Sequence, residues 1–355
     1  RMHNKLWIAD NALAIVGGRN LGDEYFDAAG DVHFSDLDVL AVGPVVRDVS
    51  ASFDAYWNSE WAVPIEAFVR RAPDDARRAA FAQALAERLE QFRETDYGQA
   101  VRDLRLRGQL RRGELPLTLA PVRALADPPS KVDPPDGAPP APSLFAEAIR
   151  PQVAAAAQEL ILISAYFIPS ERGIAGMAEL VRRGVRVRVL TNSLASADAI
   201  PLAHAGYARK RAALLAAGVE LHEMRPDATE PGTRRPIRPS LGAYLHTKAI
   251  VVDRRHVLVG SMNLDPRSRL SNTEVGLLID SAEFGAQLGT LFDAAVRPDR
   301  AFRVGREPTP QGGEHLFWTA EEDGRAVRYE IEPLAGRWKR ALATLLEAIA
   351  PEELL

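Results

Sequence analysis

Cysteine is missing from all 355 positions of this chain. That absence removes disulfides, thiolate nucleophiles and cysteine-ligated zinc, and it permits a reducing compartment. Long apolar runs are missing too. The alanine-rich stretches are broken by Arg, Glu or Gly well short of the roughly 18–20 residues that span a bilayer. A net charge of −4 supplies no global basic field for nucleic acid, which weighs against a nuclease. Lysine is scarce: of 44 cationic side chains only five are lysines. Two of those five, Lys5 and Lys248, fall inside a repeated pattern, so lysine at both places marks a requirement in a chain that otherwise uses arginine. The remainder, 46% apolar and 26% charged, is ordinary globular composition, long enough for two domains or one duplicated fold.

The repeat is HNKLWIADNALAIVGGRN at 3–20 and HTKAIVVDRRHVLVGSMN at 246–263. With identical spacing, His3 matches His246, Lys5 matches Lys248, Asp10 matches Asp253, Gly17 matches Gly260 and Asn20 matches Asn263. Gly18 and Ser261 follow the shared glycines. The intervening residues differ, so low complexity does not explain the match.

Around these motifs LWIAD, LAIVGG and LDVLAVG read as strands. Val45, Val49, Phe53 and Trp57 have helical spacing, and a long helix is expected over 73–93. The basic VRDLRLRGQLRR at 101–112 reads as a solvated helix or loop face, with a membrane-surface patch as the alternative. The proline-rich DPPSKVDPPDGAPPAP reads as an extended linker. It divides the chain into 1–127, a linker at 128–142, and 143–355. After the linker, helices and strands alternate (LILISAYF, GIAGMAELVRRG, VRVRVLTNS, AGYARKRAALLAAG, VELHEMRP), which predicts an α/β domain with a largely parallel sheet. Beyond the second motif, EVGLLIDS reads as a strand, SAEFGAQLGTLFDAAV as a helix, and EHLFWTAEEDGRAVRYEIEP as a β-hairpin. Residues 143–245 precede His246 whereas two residues precede His3, so the first half is expected to be incomplete.

Side chains two apart on a strand share a face, so His3 and Lys5 point together. A two-residue loop at Asn11 and Ala12 would pair His3 with Asn20 and Lys5 with Gly18. A loop at Arg254 and Arg255 would likewise pair His246 with Asn263 and Lys248 with Ser261. Asp10 and Asp253 have the opposite parity and are expected to be structural anchors. An imidazole, an ammonium and a carboxamide that converge suit an anionic tetrahedral group: Lys and Asn donate to its oxygens, while His attacks or transfers a proton. Two such sets would supply a nucleophile and a general acid–base for phosphodiester chemistry. No metal-ligand spacing is present, and neither a metal nor another cofactor is expected. Each histidine also needs an orienting group on its second ring nitrogen. Asp36 in SDLDVLAVG and Glu274 in NTEVGLLID hold equivalent places after the two motifs and are the nominees, with Asp38 competing in the first half.

The duplicated H-x-K-x4-D-x6-G-[GS]-x-N resembles the HKD signature of the phospholipase D superfamily. RMHNKLWIADNALAIVGGRNLGDEYF, LTNSLASADAIPLAHAGYARKR, GSMNLDPRSRLSNTEVGLLID and the terminal PEELL resemble bacterial cardiolipin synthases of the C type. The resemblance covers most of the chain outside the proline-rich stretch. It implies an α/β phospholipase D fold of two lobes, each a mixed sheet flanked by helices, related by a pseudo-twofold axis with the site between them. It also implies a phosphohistidine intermediate and phosphatidyl transfer between phospholipids, phosphatidylglycerol and phosphatidylethanolamine, to give cardiolipin. His3 would be the nucleophile and His246 the general acid and base. The implied setting is the bacterial inner membrane, peripheral, on its cytoplasmic face. Hydrolytic phospholipase D activity is the alternative, and a non-catalytic lipid-binding module is the reading from another class.

His204 and Tyr207 in LAHAGYAR are candidates for lipid head-group contacts, or for helix packing. Arg267, close behind the second motif with Arg269, is a candidate phosphate ligand or a surface ion-pair partner. His33, His222, His256 and His315 read as surface or turn residues. Phe317 and Trp318 read as packing, with membrane contact as the alternative.

Overall fold

A computed structural model describes residues 1–26, 32–69, 74–103, 106–132, 143–197, 201–227, 242–310 and 313–349. The order of elements is β1 (Leu6–Ala9), β2 (Leu13–Gly17), β3 (Val32–Ser35), β4 (Asp38–Val42), α1 (Val45–Trp57), α2 (Asp75–Glu94), α3 (Asp96–Asp103), α4 (Leu106–Arg112) and β5 (Val122–Ala126). Then come α5 (Leu144–Ala155), β6 (Glu159–Ile163), α6 (Glu171–Arg182), β7 (Arg186–Asn192), α7 (Leu202–Ala208), α8 (Arg211–Ala216), β8 (Glu220–Met224) and β9 (Gly242–Leu245). The chain continues through β10 (Ala249–Val252), β11 (His256–Gly260), α9 (Pro266–Leu270), β12 (Val275–Asp280), α10 (Ala282–Ala295), β13 (Ala301–Pro308), β14 (Glu314–Glu322), β15 (Arg325–Tyr329) and α11 (Arg337–Ile349).

Strands β1, β2 and β4 make a three-stranded antiparallel sheet, and a ten-stranded sheet runs β15-β14-β13-β8-β7-β6-β10-β11-β12-β5. In the large sheet β6–β7 and β7–β8 are parallel and the other neighbours antiparallel. The largely parallel sheet expected of the second half is therefore corrected to a mixed one. Crossover helices join only β6 to β7 and β7 to β8, while the short links of β10–β11, β13–β14 and β14–β15 permit only antiparallel neighbours.

The two motifs build the same module, β1-β2-β4 and β10-β11-β12. Each hairpin turns through two consecutive left-handed residues, Asp10 and Asn11 (φ 52° and 53°), and Asp253 and Arg254 (φ 50° and 49°). The turns are closed by Ala12 N–H donating to the Ala9 carbonyl (2.9 Å) and Arg255 N–H donating to the Val252 carbonyl (3.0 Å). Two consecutive positive φ values mark a type I′ turn, whose twist suits an antiparallel ribbon. Ladder pairing resumes at Ala9 with Leu13 and at Val252 with His256, so three residues lie between the paired positions where two were expected. The register shifts by one, and Lys248 stands against Gly260, not Ser261; Gly260 N–H lies 3.4 Å from the Lys248 carbonyl. The shared glycine has a steric cause. A Cβ on Gly17 would sit 2.1 Å from Asp38 Oδ1, and one on Gly260 would sit 2.3 Å from the Val275 carbonyl oxygen. The third strand of each module thus approaches the second too closely for a side chain.

Alternate residues of β6 divide the core, as strand geometry requires. Leu160 and Leu162 join Phe145, Ile149, Met177, Leu180 and Leu214 from α5, α6 and α8. Ile161 and Ile163 join the cluster in which Ala14, Val16, Ala41, Val46 and Val49 pack on Val251, Val257, Val259 and Leu277. The small sheet and α1 therefore lie on one face of the large sheet, module against module. Strand β5, within the 1–127 region, completes the edge of the large sheet beside β12. Of the proline-rich stretch, Pro129–Val132 forms a 3₁₀ turn, and 133–142 lies outside the described residues. Among the described residues no helix is long and apolar enough to cross a membrane.

Candidate active site

Each motif histidine is fixed by backbone from the other repeat. His3 N–H donates to the Thr273 carbonyl (3.0 Å), one residue before Glu274. His246 N–H donates to the Ser35 carbonyl (2.8 Å), one residue before Asp36, at the end of the parallel pair β3–β9. The side chains follow. His3 Nδ1 lies 2.8 Å from Glu274 Oε2, and His246 Nδ1 lies 2.6 Å from Asp36 Oδ2. Both carboxylate side chains are 0% exposed, and the imidazoles are 10% and 8% exposed. The nominated carboxylates both orient histidines, and they are exchanged between the repeats. Asp38 takes a different partner, Arg19 Nε at 2.6 Å. With Nδ1 of each ring turned to a carboxylate, Nε2 is the ring atom left for chemistry.

Lys5 Nζ donates to its own motif's His3 carbonyl at 2.7 Å, and Lys248 Nζ makes the same bond to the His246 carbonyl. Burial pushes Lys5 down to about 8 and Lys248 down to about 7, while Glu274 and Asp36 pull both the other way. Burial also lowers both histidines, opposed by Glu274 at His3 and by Asp36 at His246. Each histidine feels both lysines, so the two motifs act as one electrostatic centre.

Position 18/261 abuts the orienting carboxylate in both halves. Ser261 Oγ donates to Glu274, and a Cβ on Gly18 would come within 2.5 Å of Asp36 Oδ1. Asn20 Nδ2 donates to the Tyr25 hydroxyl (2.8 Å). Asn263 is buried, and its N–H donates to Ser268 Oγ at 3.2 Å. Asp253 accepts N–H bonds from Ala157, Gln158 and Glu159 at 2.9, 2.8 and 2.9 Å. Partial burial works the other way, but these bonds hold its carboxyl below the usual range. It pins the hairpin tip to the start of β6, an anchor as its parity predicts. Its counterpart Asp10 is exposed.

Several supporting residues escaped the sequence reading. Tyr25 stacks on Phe34 (4.6 Å between centroids), and both turn toward His246, at 5.0 and 5.5 Å. Asp127 Oδ2 accepts from the Glu274 N–H (3.0 Å) and from buried Lys131 Nζ (2.7 Å), which also donates to the Ser268 carbonyl (3.1 Å). The rarity of lysine was a signal for Lys131; nothing local marks Tyr25 or Phe34.

His204 and Tyr207 are buried in an ionic cluster behind the site. The Tyr207 hydroxyl donates to Glu223 Oε1 at 3.0 Å, and Arg211 Nη2 donates to His204 Nε2 at 2.7 Å. Arg211 also pairs with Glu332 at 2.6 Å. Both side chains also line a cavity with Phe167, Thr191 and Asn192. Beside them Asn192 bonds both the N–H and the carbonyl of Leu245 (2.9 Å each), bracing the residue before His246. Arg267 is exposed on α9. His222 is buried, a correction to its surface reading: it sits on an interior strand with its ring edge on Phe292. His315 is half-buried and pairs with Glu330, His256 lies 3.5 Å from Asp280, and the side chain of His33 is outside the described residues. Trp318 packs inside, donating to Glu223. Among the described residues no group of three or more His, Asp or Glu is placed to hold a metal.

A duplicated hairpin module with paired imidazoles and lysines at its interface defines a phospholipase D-like protein. Residues 149–296 match the family model described as cardiolipin synthase, PLD-like domain. The whole chain is 35% identical to cardiolipin synthase C of Escherichia coli over 372 aligned residues, covering 73% of that protein. Cardiolipin synthase A of Cronobacter sakazakii is 26% identical over 302 residues, 84% of this chain and 49% of that one. Phosphatidylserine synthase of Haemophilus influenzae shares the fold, with a TM-score of 0.51 at 13% identity, over 85% of this chain and 63% of that one. The chain belongs to the phospholipase D-like cardiolipin synthase family.

Proposed function

We propose that the protein transfers a phosphatidyl group from one phospholipid to a hydroxyl of another, making cardiolipin through a phosphohistidine. The exchanged His3–Glu274 and His246–Asp36 pairs carry this reading, because they leave two oriented Nε2 atoms beside two lysines. The family resemblance gives the attack to His3. Its Nε2 forms a bond to phosphorus while the bond to the leaving oxygen breaks, and that oxygen takes the Nε2 proton of His246, which enters this step as the imidazolium held by Asp36. The phosphatidylglycerol hydroxyl then gives its proton to neutral His246, and its oxygen displaces His3. Lys5 and Lys248 hold the phosphoryl oxygens, a charge-assisted contact that strengthens as negative charge develops.

The test is to supply phosphatidylglycerol with and without phosphatidylethanolamine and to identify the products by mass. Cardiolipin that depends on His246 supports the proposal. Phosphatidic acid alone would make the protein a hydrolase, and lipid binding without product would make it a binding module.

A further inference from the structure

The helix α11 closes the described part of the chain with two different faces. Its inner face is fastened to the protein: Ala343 is buried beside Leu194 and Ala335. Lys339 Nζ donates to the Ala197 carbonyl (2.8 Å), and Arg209 Nη2 donates to the Leu346 carbonyl (2.9 Å). The outer face carries Trp338, Leu342, Leu345 and Ile349, at 90%, 39%, 55% and 64% exposure. Their spacing of four, three and four places them in one stripe. Ile331 and Leu334, also exposed, lie just before the helix.

The charge around this stripe is one-sided. No carboxylate occurs between Glu332 and Glu347, while Arg337, Lys339 and Arg340 fill the first turn of the helix. This departs from a chain of net charge −4. A second copy of the same face would set cations against cations. An anionic phospholipid surface would take the arginines at its head groups, the indole at the boundary and the aliphatic side chains below.

We propose that α11 is an interfacial helix that seats the protein on an anionic lipid surface through the Trp338, Leu342, Leu345 and Ile349 stripe. The proposal rests on the preceding reading only in taking phospholipid as the substrate class. It also gives the buried cluster a place. Glu332, just before α11, pairs with Arg211 and His204, and His204 shares a cavity wall with Asn192, the residue bonded to Leu245 beside His246.

The experiment measures co-sedimentation of the protein with vesicles of phosphatidylglycerol and phosphatidylcholine, and with vesicles of phosphatidylcholine alone. The Leu342→Glu/Leu345→Glu variant should partition roughly ten-fold or more weakly, with an unchanged melting temperature because both side chains face outward. Trp338→Phe should lose fluorescence quenching by lipids brominated in their acyl chains. Equal binding to both vesicle types would overturn the proposal, as would variants that bind and quench like the parent. A stripe variant that turns a dimer into a monomer with vesicle binding intact would assign the face to a second copy instead. Turnover of short-chain substrate in detergent micelles should survive in the Leu342→Glu/Leu345→Glu variant. A parent protein that turns over micellar substrate but does not bind the anionic vesicles sinks this inference alone, and one that binds them without any turnover sinks the functional reading alone.

Discussion

Replacing Lys248 with Met should stabilise the fold near neutral pH while abolishing turnover. Lys248 is 2% exposed, and its folded-state pKa is about 7 against an ordinary value of 10.5. At about 1.4 kcal/mol per unit, this corresponds to roughly 4–5 kcal/mol spent holding the ammonium in place. Methionine removes that penalty and forfeits one hydrogen bond to the His246 carbonyl, about 1 kcal/mol, leaving a net gain of roughly 3–4 kcal/mol at pH 6. The pH dependence distinguishes this cause from better packing. Between about pH 7 and 10.5 the unfolded chain binds one more proton at this site than the folded chain does. Wild-type stability therefore rises with pH across that window, and the advantage of the variant shrinks toward zero by its upper end. Urea unfolding of both proteins at pH 6, 8 and 10 measures the gap. A gap constant with pH, or a variant less stable at pH 6, would refute the reasoning.

Glu274→Gln should disturb His3, and Asp36→Asn should disturb His246, each across the repeat boundary; imidazole NMR titrations that moved the histidine of the same repeat would contradict the exchange. Turnover should fall by about 10²–10⁴ in either variant, as expected for a misoriented imidazole, read as kcat on a lipid substrate. Affinity for inorganic phosphate or tungstate should weaken as pH rises through about 7–8, where Lys248 and Lys5 lose their protons, and calorimetry should show proton uptake on binding. Asp253→Ala frees three backbone N–H groups and should destabilise by about 2–3 kcal/mol in urea unfolding, whereas Asp10→Ala, at an exposed tip, should change stability by less than about 0.5 kcal/mol.

The strands of both modules were legible in the sequence because alternation is a local property. The register was not. Placing the loop at residues 11–12 and 254–255 missed the left-handed pairs one residue earlier, where Asp10 and Asn11 suit positive φ but Arg254 gives no hint of it. Asp36 and Glu274 could be nominated from their position after each motif. Their exchange could not, because it depends on β3 finding β9 and on His3 finding Thr273, pairings with hundreds of residues between partners. The same limit hid β5 at the far edge of the large sheet. It also hid Glu223 and Glu332, two ordinary glutamates until Arg211 is buried between them.

The crossing of carboxylates means that neither repeat can ready its own imidazole. A chain with one half misfolded leaves the other half's ring without its acceptor, so reactivity appears only once both halves have docked.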